Sequence, residues 1–572
     1  MGIYMNGRRN LAAAAVSVLL LVALMVPAAQ VLSRSTDKQL TQKQTAILHA
    51  LEEEAARMIP HRCDVLPVTD IEEIWAIEDT REETDKQLVL GMTGGTGEMG
   101  YDAQSGTFYC TLGLENGSEW PEIQLSAYGE EEIRVVWVDD YSFDWCSDAV
   151  AEGYRYELMA YTDTQYAYIG VVFTGLPILT LHVQDEIDYD HDSPGRMTLA
   201  SAGYEPLDTA MIVHQRGGRA RKPIAKPSFR VETYMLGYNG KAERRIEPLL
   251  GMKPDSEWLL IANAQDEYCV SNSILYDIWE EWHEGKPALM TMDSEYVEVF
   301  RNDEYMGIYQ MMERVKPEEE IAHVGGDVRT DCTLRGIVLS NLSDRPVWNL
   351  LNDGMNCCFE YRYEYHQDVQ RAFKLAENYV ILNQKEGDRR LSDEDFAKLV
   401  FECVDIEDMM NYIFFLHACT LADNIGNNVY LYIMRQEDGR YVYRHAPWDM
   451  DSGLWVRKEF DSHNVMRWPD MNMILPTRML DLNVGNCREM IWSLWNEKRA
   501  TILSKEAFSA RLAAEEDLIN ASGAYLRESE KWYGNAVKLN LSAKEYYSQE
   551  CMDLLRLTLL HVWPVEGMTL LE

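Results

Sequence analysis

The sequence predicts an α+β fold with a helical C-terminal part. Residues 65–175 contain short aromatic-rich segments such as EIRVVWVDD, separated by Gly, Asn and Asp turns, which predict a small β-rich domain. Strand and helix patterns alternate over 176–565, and the spacing of apolar residues is mostly helical from about 468 to 560. Residues 36–64 precede both parts and have the spacing of a helical stalk. With 572 residues the chain is long enough for two or more domains.

The N-terminal segment, residues 1–35, has the pattern of an export signal. Arg8 and Arg9 precede an uncharged apolar run over 11–29 that ends in small residues. This pattern is typical of a secretory signal, here cleaved after Ala28. The run is also long enough to remain as an uncleaved membrane anchor. Because the positive end stays inside, we expect the bulk of the chain to be extracytoplasmic in both cases, with membrane contact through this segment only.

The composition limits the classes of partner. The formal net charge is −41, with no basic block in the chain. A nucleic-acid partner requires a positive stripe that neutralises phosphates, so we expect none. The acidic field suits a basic protein substrate, although it also serves solubility alone. The 11 cysteines include no C-x-x-C pair, so a structural zinc site is not indicated, and neither disulfide pairing nor oligomeric state follows from them.

A glycine string near residue 95 resembles the phosphate-binding loops of nucleotide-binding proteins. Gly95, Gly97 and Gly100 form the pattern G-x-G-x-x-G after a short apolar run. A dinucleotide-binding loop of this kind opens into a helix, whereas here turn residues and then a strand pattern follow. We therefore interpret the string as a loop between strands of the β-rich domain.

The stretch LADNIGNNVYLYIMRQEDGRYVYRHAPWDMDSGLW, residues 421–455, predicts a hairpin preceded by a helix. Residues 405–420 are apolar around most of the helical circumference and begin with Asp405, a typical N-cap. Two short strands, VYLYIM and YVYRHA, are then joined across Asp438-Gly439, which is a strong hairpin signal.

Polar residues flank this hairpin on both sides. Asp423 and Asn428 lie in the loop before it, and Asp449 and Asp451 follow its second strand. Protein kinases use the same order: D-x-x-x-x-N in the catalytic loop, a strand pair, and a metal-binding Asp. A hairpin returns the chain to its starting edge, so we expect these side chains to converge on one site. Asp and Asn are also ordinary turn residues, and spacing alone leaves that alternative open.

Four segments in order resemble the CotH kinase family (spore coat protein H), over residues 176–560. DNIGNNVYLY and PWDMDSGLW resemble the hallmark of that family, D-N-x-x-x-N-x-Y-L-Y with P-W-D-x-D. The other segments are QRGGRARKPIAKPSFRV, LLGMKPDSEWLLIANAQDEYCVSNSI and YVEVFRNDEYMGIYQMMERV. The resemblance implies an atypical protein-kinase-like domain that uses ATP and Mg²⁺ or Mn²⁺ to phosphorylate proteins, including spore coat proteins. It does not cover the β-rich domain.

The resemblance also implies roles for individual residues around the hairpin. Asp423 would be the catalytic residue that orients the acceptor hydroxyl, and Asn428 would help to hold the metal ion. Asp449 is the first choice for the metal-binding aspartate and Asp451 is close behind, because Asp451-Ser452-Gly453 also matches the D-x-G of a kinase metal loop.

The resemblance places three more residues at the nucleotide. Lys226 would reach the phosphates in catalysis, although most lysines are solvated surface residues. Arg216 would contact phosphate or pair with a core acid. Glu313 would pair with a basic residue or lie near the adenine.

Several positions depart from the family pattern. Pro227 follows Lys226 where the family has a second lysine, and Gly218-Arg219 replaces Asn-Ser. Arg221 and Lys222 are candidate substitutes for the phosphate contact. Ser271 stands before Asn272 where the family usually has arginine.

Three functions fit the sequence. The leading hypothesis is an exported kinase acting on Ser, Thr or other hydroxyls of surface or spore coat proteins. The second is a catalytically inactive relative that serves in surface or coat assembly or in adhesion. The third is a kinase that acts on a small molecule or a glycan.

Overall fold

The computed structural model describes residues 61–67, 70–113, 123–129, 132–138, 146–217, 226–238, 240–264, 266–283, 289–326, 332–338, 347–352, 355–361, 378–384, 390–425, 428–454 and 474–572. The predicted signal or anchor lies outside these residues, as do most of the predicted stalk and the pair Arg221 and Lys222. Within the described part of the chain, no helix is both long and apolar enough to cross a membrane.

The described chain is mixed α/β and divides into two compact units. The first unit runs to Ala262 and also takes in Asp293–Glu313 and Leu518–Leu539. The second unit consists of Asn263–Met292, Arg314–Asp517 and Asn540–Glu572.

The first sheet of the first unit contains the β-rich part of the sequence. Its strands are β1 (His61–Leu66), β2 (Glu82–Glu83), β3 (Gly91–Gly94), β4 (Gly97–Glu98), β5 (Gly100–Asp102), β6 (Thr107–Thr111), β7 (Ser126–Gly129), β8 (Arg134–Trp137), β9 (Arg155–Tyr161) and β10 (Gln165–Thr174). Their order is β4-β3-β7-β1-β8-β9-β10-β6-β5, with β2 beside β10. Helices α1 (Ile71–Thr80) and α2 (Cys146–Ala151) belong to the same region. Among the described residues, the first strand of the β-rich part begins at His61, inside the range predicted for the stalk.

The glycine string belongs to a strand connection of the β-rich part, as the sequence predicted, but two of its glycines lie within short strands and not in a loop. Gly94 pairs with Gly97 in the β3–β4 hairpin, and Gly97 has a φ of +132° that a side chain rarely adopts. Gly100 then begins β5 rather than a helix. The glycines therefore serve a tight strand connection.

The second sheet of the first unit closes on itself. Its strands are β11 (Ile178–Val183), β12 (Ser193–Ala200), β13 (Leu207–Arg216), β14 (Ser228–Leu236), β15 (Ala242–Arg244), β16 (Glu257–Ile261), β17 (Ser294–Arg301) and β18 (Glu304–Glu313). The order is β13-β12-β11-β17-β18-β16-β14-β15, and β13 also pairs with β14. That pairing joins β13, at one end of the path, to β14, the strand next to the other end, around a core that includes Trp258 and Tyr309. Helix α10 (Ala524–Tyr533) packs against β18.

The second unit combines a sheet with most of the helices. Its sheet has the order β20-β21-β19-β22-β23, formed by β19 (Cys332–Val338), β20 (Val347–Asn352), β21 (Met355–Tyr361), β22 (Val429–Arg435) and β23 (Tyr441–Pro447). Its helices are α3 (Ser271–Trp282), α4 (Pro317–His323), α5 (Asp393–Cys403), α6 (Ile406–Ala418), α7 (Ile474–Leu482), α8 (Cys487–Ala500) and α11 (Ser542–Val562). Helix α9 (Lys505–Ala521) begins in this unit and ends in the first. The helical C-terminal part is confirmed.

The predicted helix and hairpin are both present. Asp405 caps α6 by accepting a hydrogen bond from the Asp408 backbone N–H. Strands β22 and β23 pair from Val429–Pro447 at the open end to Arg435–Tyr441 at the turn. The hairpin therefore places the residues just before Val429 beside those just after Pro447.

Candidate active site

The loop before the hairpin brings two predicted site residues into contact. Asp423 lies in the 3-10 turn Ala422–Asn424 that follows α6. Asn428 has a φ of 49°, a left-handed conformation that asparagine tolerates better than most residues. Its Nδ2 donates a hydrogen bond of 3.0 Å to Asp423 Oδ2. The five-residue spacing therefore produces a direct side-chain pair.

The hairpin joins this loop to the segment that follows β23. The Trp448 N–H donates to the Asn428 carbonyl at 2.9 Å, and Asn428 Nδ2 lies 3.4 Å from the Asp449 carbonyl oxygen. Asn424 is buried, and its Nδ2 donates to the carbonyls of both Asn428 and Trp448, at 2.9 and 2.8 Å. Asp423, Asn428 and Asp449 thus lie together. Asn424, in a segment that the sequence explained by turn formation, holds the backbones of Asn428 and Trp448 together.

A tight loop, Asp449–Leu454, carries both candidate metal-binding aspartates. Asp449 has a φ of 55°. The Met450 N–H donates to Asn272 Oδ1 at 2.9 Å, and the Leu454 N–H donates to the Cys419 carbonyl at 3.0 Å. A Cβ at Gly453 would lie 2.4 Å from the Leu275 side chain, so the glycine of D-x-G is required by close packing.

The donors in this region fit a hard divalent cation. Carboxylates and an amide oxygen are the ligands that Mg²⁺ and Mn²⁺ prefer, and Mg²⁺ commonly uses one or two carboxylates together with substrate phosphates. Asn428 contacts the Asp449 backbone, and Asp451 follows two residues later in the same loop, so all three residues can supply such oxygens from one short region. Within the described residues, Ser452 Oγ is buried without a hydrogen-bond partner, and no three His, Cys, Asp or Glu side chains form a preassembled cage. The residues therefore fit a Mg²⁺ or Mn²⁺ ion held jointly with a ligand.

Lys226 lies in the first unit and is paired with a glutamate from α10. Its Nζ lies 2.6 Å from Glu528 Oε1 and donates to the Ile308 carbonyl at 2.7 Å. It also lies 5.1 Å from the centroid of the Tyr309 ring, and the residue is only 6% exposed. Lys226 is therefore a buried, fully oriented cation and not a solvated surface lysine.

Glu528 was not predicted from the sequence, and it explains the glycine at position 307 of the β17–β18 strand pair. Its second oxygen, Oε2, accepts a hydrogen bond of 2.7 Å from the Ile308 N–H. Gly307 has a φ of +96°, and a Cβ there would lie 2.1 Å from that oxygen. On the same helix, Arg527 forms a bidentate pair with the buried Glu298, at 2.9 and 2.7 Å. Two charged residues thus fasten α10 to β17 and β18.

Glu313 and Arg216, the other two predicted nucleotide contacts, lie at strand ends of the first unit. Glu313 ends β18, accepts a hydrogen bond of 3.1 Å from the Lys253 N–H and lies 3.5 Å from Lys253 Nζ. Burial raises the pKa of the Glu313 carboxyl, although Lys253 acts in the opposite direction. Glu313 was predicted to pair with a basic residue or to lie near the adenine, and in the structure it pairs with Lys253. Arg216 ends β13 opposite Ser228, and its phosphate contact stays a prediction.

Comparison with known families settles the relationship of the chain. The family model for the CotH kinase protein matches residues 213–554, which is more than half of the sequence. The chain belongs to the CotH kinase family. No curated protein matches it significantly. The matched range contains the hairpin loop as well as Lys226 and Glu528.

Proposed function

We propose that this CotH family member is an exported kinase that uses ATP and Mg²⁺ or Mn²⁺ to phosphorylate hydroxyls on surface or spore coat proteins. The observation that carries the proposal is the contact between Asp423 and Asn428 beside the backbone of Asp449. Family membership supports kinase chemistry. The charged and then apolar N-terminal sequence supports export, and the net charge of −41 favours basic acceptor proteins.

In this proposal each residue near the hairpin has a defined task. Asp423 accepts a hydrogen bond from the acceptor hydroxyl and takes its proton as the hydroxyl oxygen bonds to the γ-phosphorus of ATP, while the bond from that phosphorus to the ADP oxygen breaks and ADP leaves. The Asn428 amide holds the Asp423 carboxylate in one orientation through the 3.0 Å hydrogen bond. Asn428 and Asp449, with Asp451 in the same loop, supply the oxygens that would hold the metal ion. When bound, the ion neutralises charge on the nucleotide phosphates.

Lys226 and Glu528 correspond in chemistry to another part of a kinase. Protein kinases use a lysine on a strand, paired with a helix glutamate, to contact nucleotide phosphates. Here Lys226 lies two residues before β14, and Glu528 on α10 holds its ammonium at 2.6 Å. We propose that this oriented lysine contacts the ATP phosphates, so the departure at Pro227 leaves the essential cation in place.

ATP binding tests the proposal before any acceptor is known. A ligand that binds only the folded state at 100 times its Kd adds about 2.7 kcal/mol of stability. We therefore expect millimolar ATP with Mn²⁺ to raise the melting temperature by several degrees, and ATP without metal to raise it much less. Asp449→Asn is a matched control, because asparagine tolerates the left-handed backbone at that position. If ATP with Mn²⁺ leaves the melting temperature unchanged, the kinase proposal fails and the inactive assembly protein is favoured.

A further inference from the structure

A buried lysine lies directly behind the loop that carries Asp449 and Asp451. Lys544, on α11, is 2% exposed. Its Nζ lies 2.9 Å from Asp266 Oδ1, donates to Ser271 Oγ at 2.6 Å and donates to the Leu454 carbonyl at 3.2 Å. One ammonium group therefore joins α11, the start of α3 and the end of the Asp449–Leu454 loop.

The acid partner of Lys544 has a structural task of its own. Asp266 Oδ2 accepts hydrogen bonds from the N–H groups of Val270 and Ser271, at 3.0 and 2.7 Å, and so caps the start of α3. Asp266 is itself buried. A buried carboxylate is costly unless a cation and hydrogen bonds compensate it. Lys544 supplies that cation.

The position that Lys544 serves is one of the departures from the family pattern. The resemblance to the CotH pattern implies an arginine at position 271, whereas this chain has a serine there, and a serine hydroxyl carries no charge. In the structure, this hydroxyl accepts a hydrogen bond from Lys544. The ammonium group of Lys544 on α11 thus places a positive charge beside residue 271, where the family pattern has the charge of an arginine.

The loop needs such support because its backbone is strained at both ends. Asp449 and Leu454 have φ values of 55° and 48°, in the left-handed region that ordinary side chains disfavour. A residue in such a conformation persists only when its surroundings hold it. Asn272 holds the loop at Met450 and Lys544 holds it at Leu454.

We propose that Lys544 is a positioning residue for the metal-binding loop and replaces the arginine that the family pattern has at position 271. This inference rests on the proposed function only in assigning a metal ion to the loop. Without the ammonium, Asp266 keeps an unpaired buried charge and the Leu454 carbonyl loses a donor. The oxygens of Asp449 and Asp451 then lose their fixed position.

Binding of Mn²⁺ alone, measured by electron paramagnetic resonance on the full chain, tests this role without requiring activity. Loss of a group that orients metal ligands typically weakens metal binding about 10- to 100-fold, and we expect this for Lys544→Met. Lys498→Met is the matched control. Lys498 is equally buried in the same unit, but its Nζ contacts the Trp282 carbonyl and Glu497. The Lys498→Met variant should therefore be less stable than the wild type but bind Mn²⁺ with unchanged affinity.

A charge-relocation variant completes the test. Ser271→Arg combined with Lys544→Met returns the cation to position 271, and we expect it to recover most of the Mn²⁺ affinity. If Lys544→Met alone does not fold, the double variant provides the test. Recovery of both folding and Mn²⁺ binding supports the positioning role of Lys544, and failure to recover either one overturns it. Mn²⁺ affinity unchanged in a folded Lys544→Met variant also overturns it, while leaving the kinase proposal intact. Normal Mn²⁺ binding by a wild-type protein that transfers no phosphoryl group would overturn the kinase proposal and leave the role of Lys544 intact.

Discussion

Lys226→Met is expected to lower the free energy of unfolding by about 3–5 kcal/mol and to abolish phosphoryl transfer. Removing one partner of a buried ion pair leaves the other charge uncompensated, which accounts for a loss of this size. The side chains of Lys226 and Glu528 are 7% and 1% exposed, so water does little to relieve the remaining carboxylate. Urea unfolding followed by circular dichroism measures the loss, and label transfer from ATP measures the activity.

The double variant Lys226→Met/Glu528→Gln separates stability from chemistry. Glutamine removes the stranded charge and keeps an oxygen that accepts the Ile308 N–H. Replacing both members of a buried pair by neutral groups is often close to neutral for stability. We therefore expect the double variant to regain most of the lost stability and none of the transfer activity. Activity that returns together with stability would show that Lys226 has only a structural role.

Asp423→Asn is expected to reduce the rate of transfer by about 10²- to 10⁴-fold, the range for loss of a general base. Its oxygen can still accept the hydrogen bond from Asn428 Nδ2, so the loop should keep its conformation. Because Asp423 is assigned to the acceptor hydroxyl rather than to the metal ion, binding of ATP with Mn²⁺ should change little. Steady-state kinetics and calorimetric titration measure the two quantities separately.

Asp438→Asn is the control for this prediction. Asp438 lies at the tip of the same hairpin, is exposed, and pairs with its near neighbour Arg440 at 2.6 Å. Its substitution should leave both transfer and binding unchanged. If Asp423→Asn weakens ATP binding as strongly as transfer, the residue belongs to the metal or nucleotide contacts, and the assignment of Asp423 as the base is wrong.

The sequence alone predicted the hairpin and its preceding helix because their signals are local. Asp405 begins α6, alternating tyrosines define the two strands, and Asp438-Gly439 specifies the turn. A hairpin with fixed register necessarily brings Asn428 and Asp449 together. This part of the candidate site thus follows from residues that are close in the chain.

The partners of the two buried lysines could not be predicted in this way. Glu528 is 302 residues from Lys226, and Ser271 is 273 residues from Lys544. A charged residue on a helix normally faces water, and no local pattern distinguishes Glu528 or Lys544 from such residues. Their roles arise from tertiary packing, which places α10 against β18 and α11 behind the Asp449–Leu454 loop.

Asn424 is an intermediate case. It lies in a segment rich in Asp and Asn, where turn formation is the ordinary explanation. The structure gives its amide a specific task, since one Nδ2 donates to carbonyls on both sides of the hairpin. The sequence identified the segment correctly but gave no means of ranking Asn424 above its neighbours.

Phosphoryl transfer itself tests the central claim most directly. The full chain is incubated with γ-labelled ATP, Mn²⁺ or Mg²⁺ and a basic acceptor protein that contains Ser and Thr, beside Asp449→Asn. We predict label on protein hydroxyls that requires the metal ion and disappears in the variant. Label that is independent of metal, or equal in Asp449→Asn, would contradict the account, as would no transfer to any protein by a chain that binds ATP with Mn²⁺.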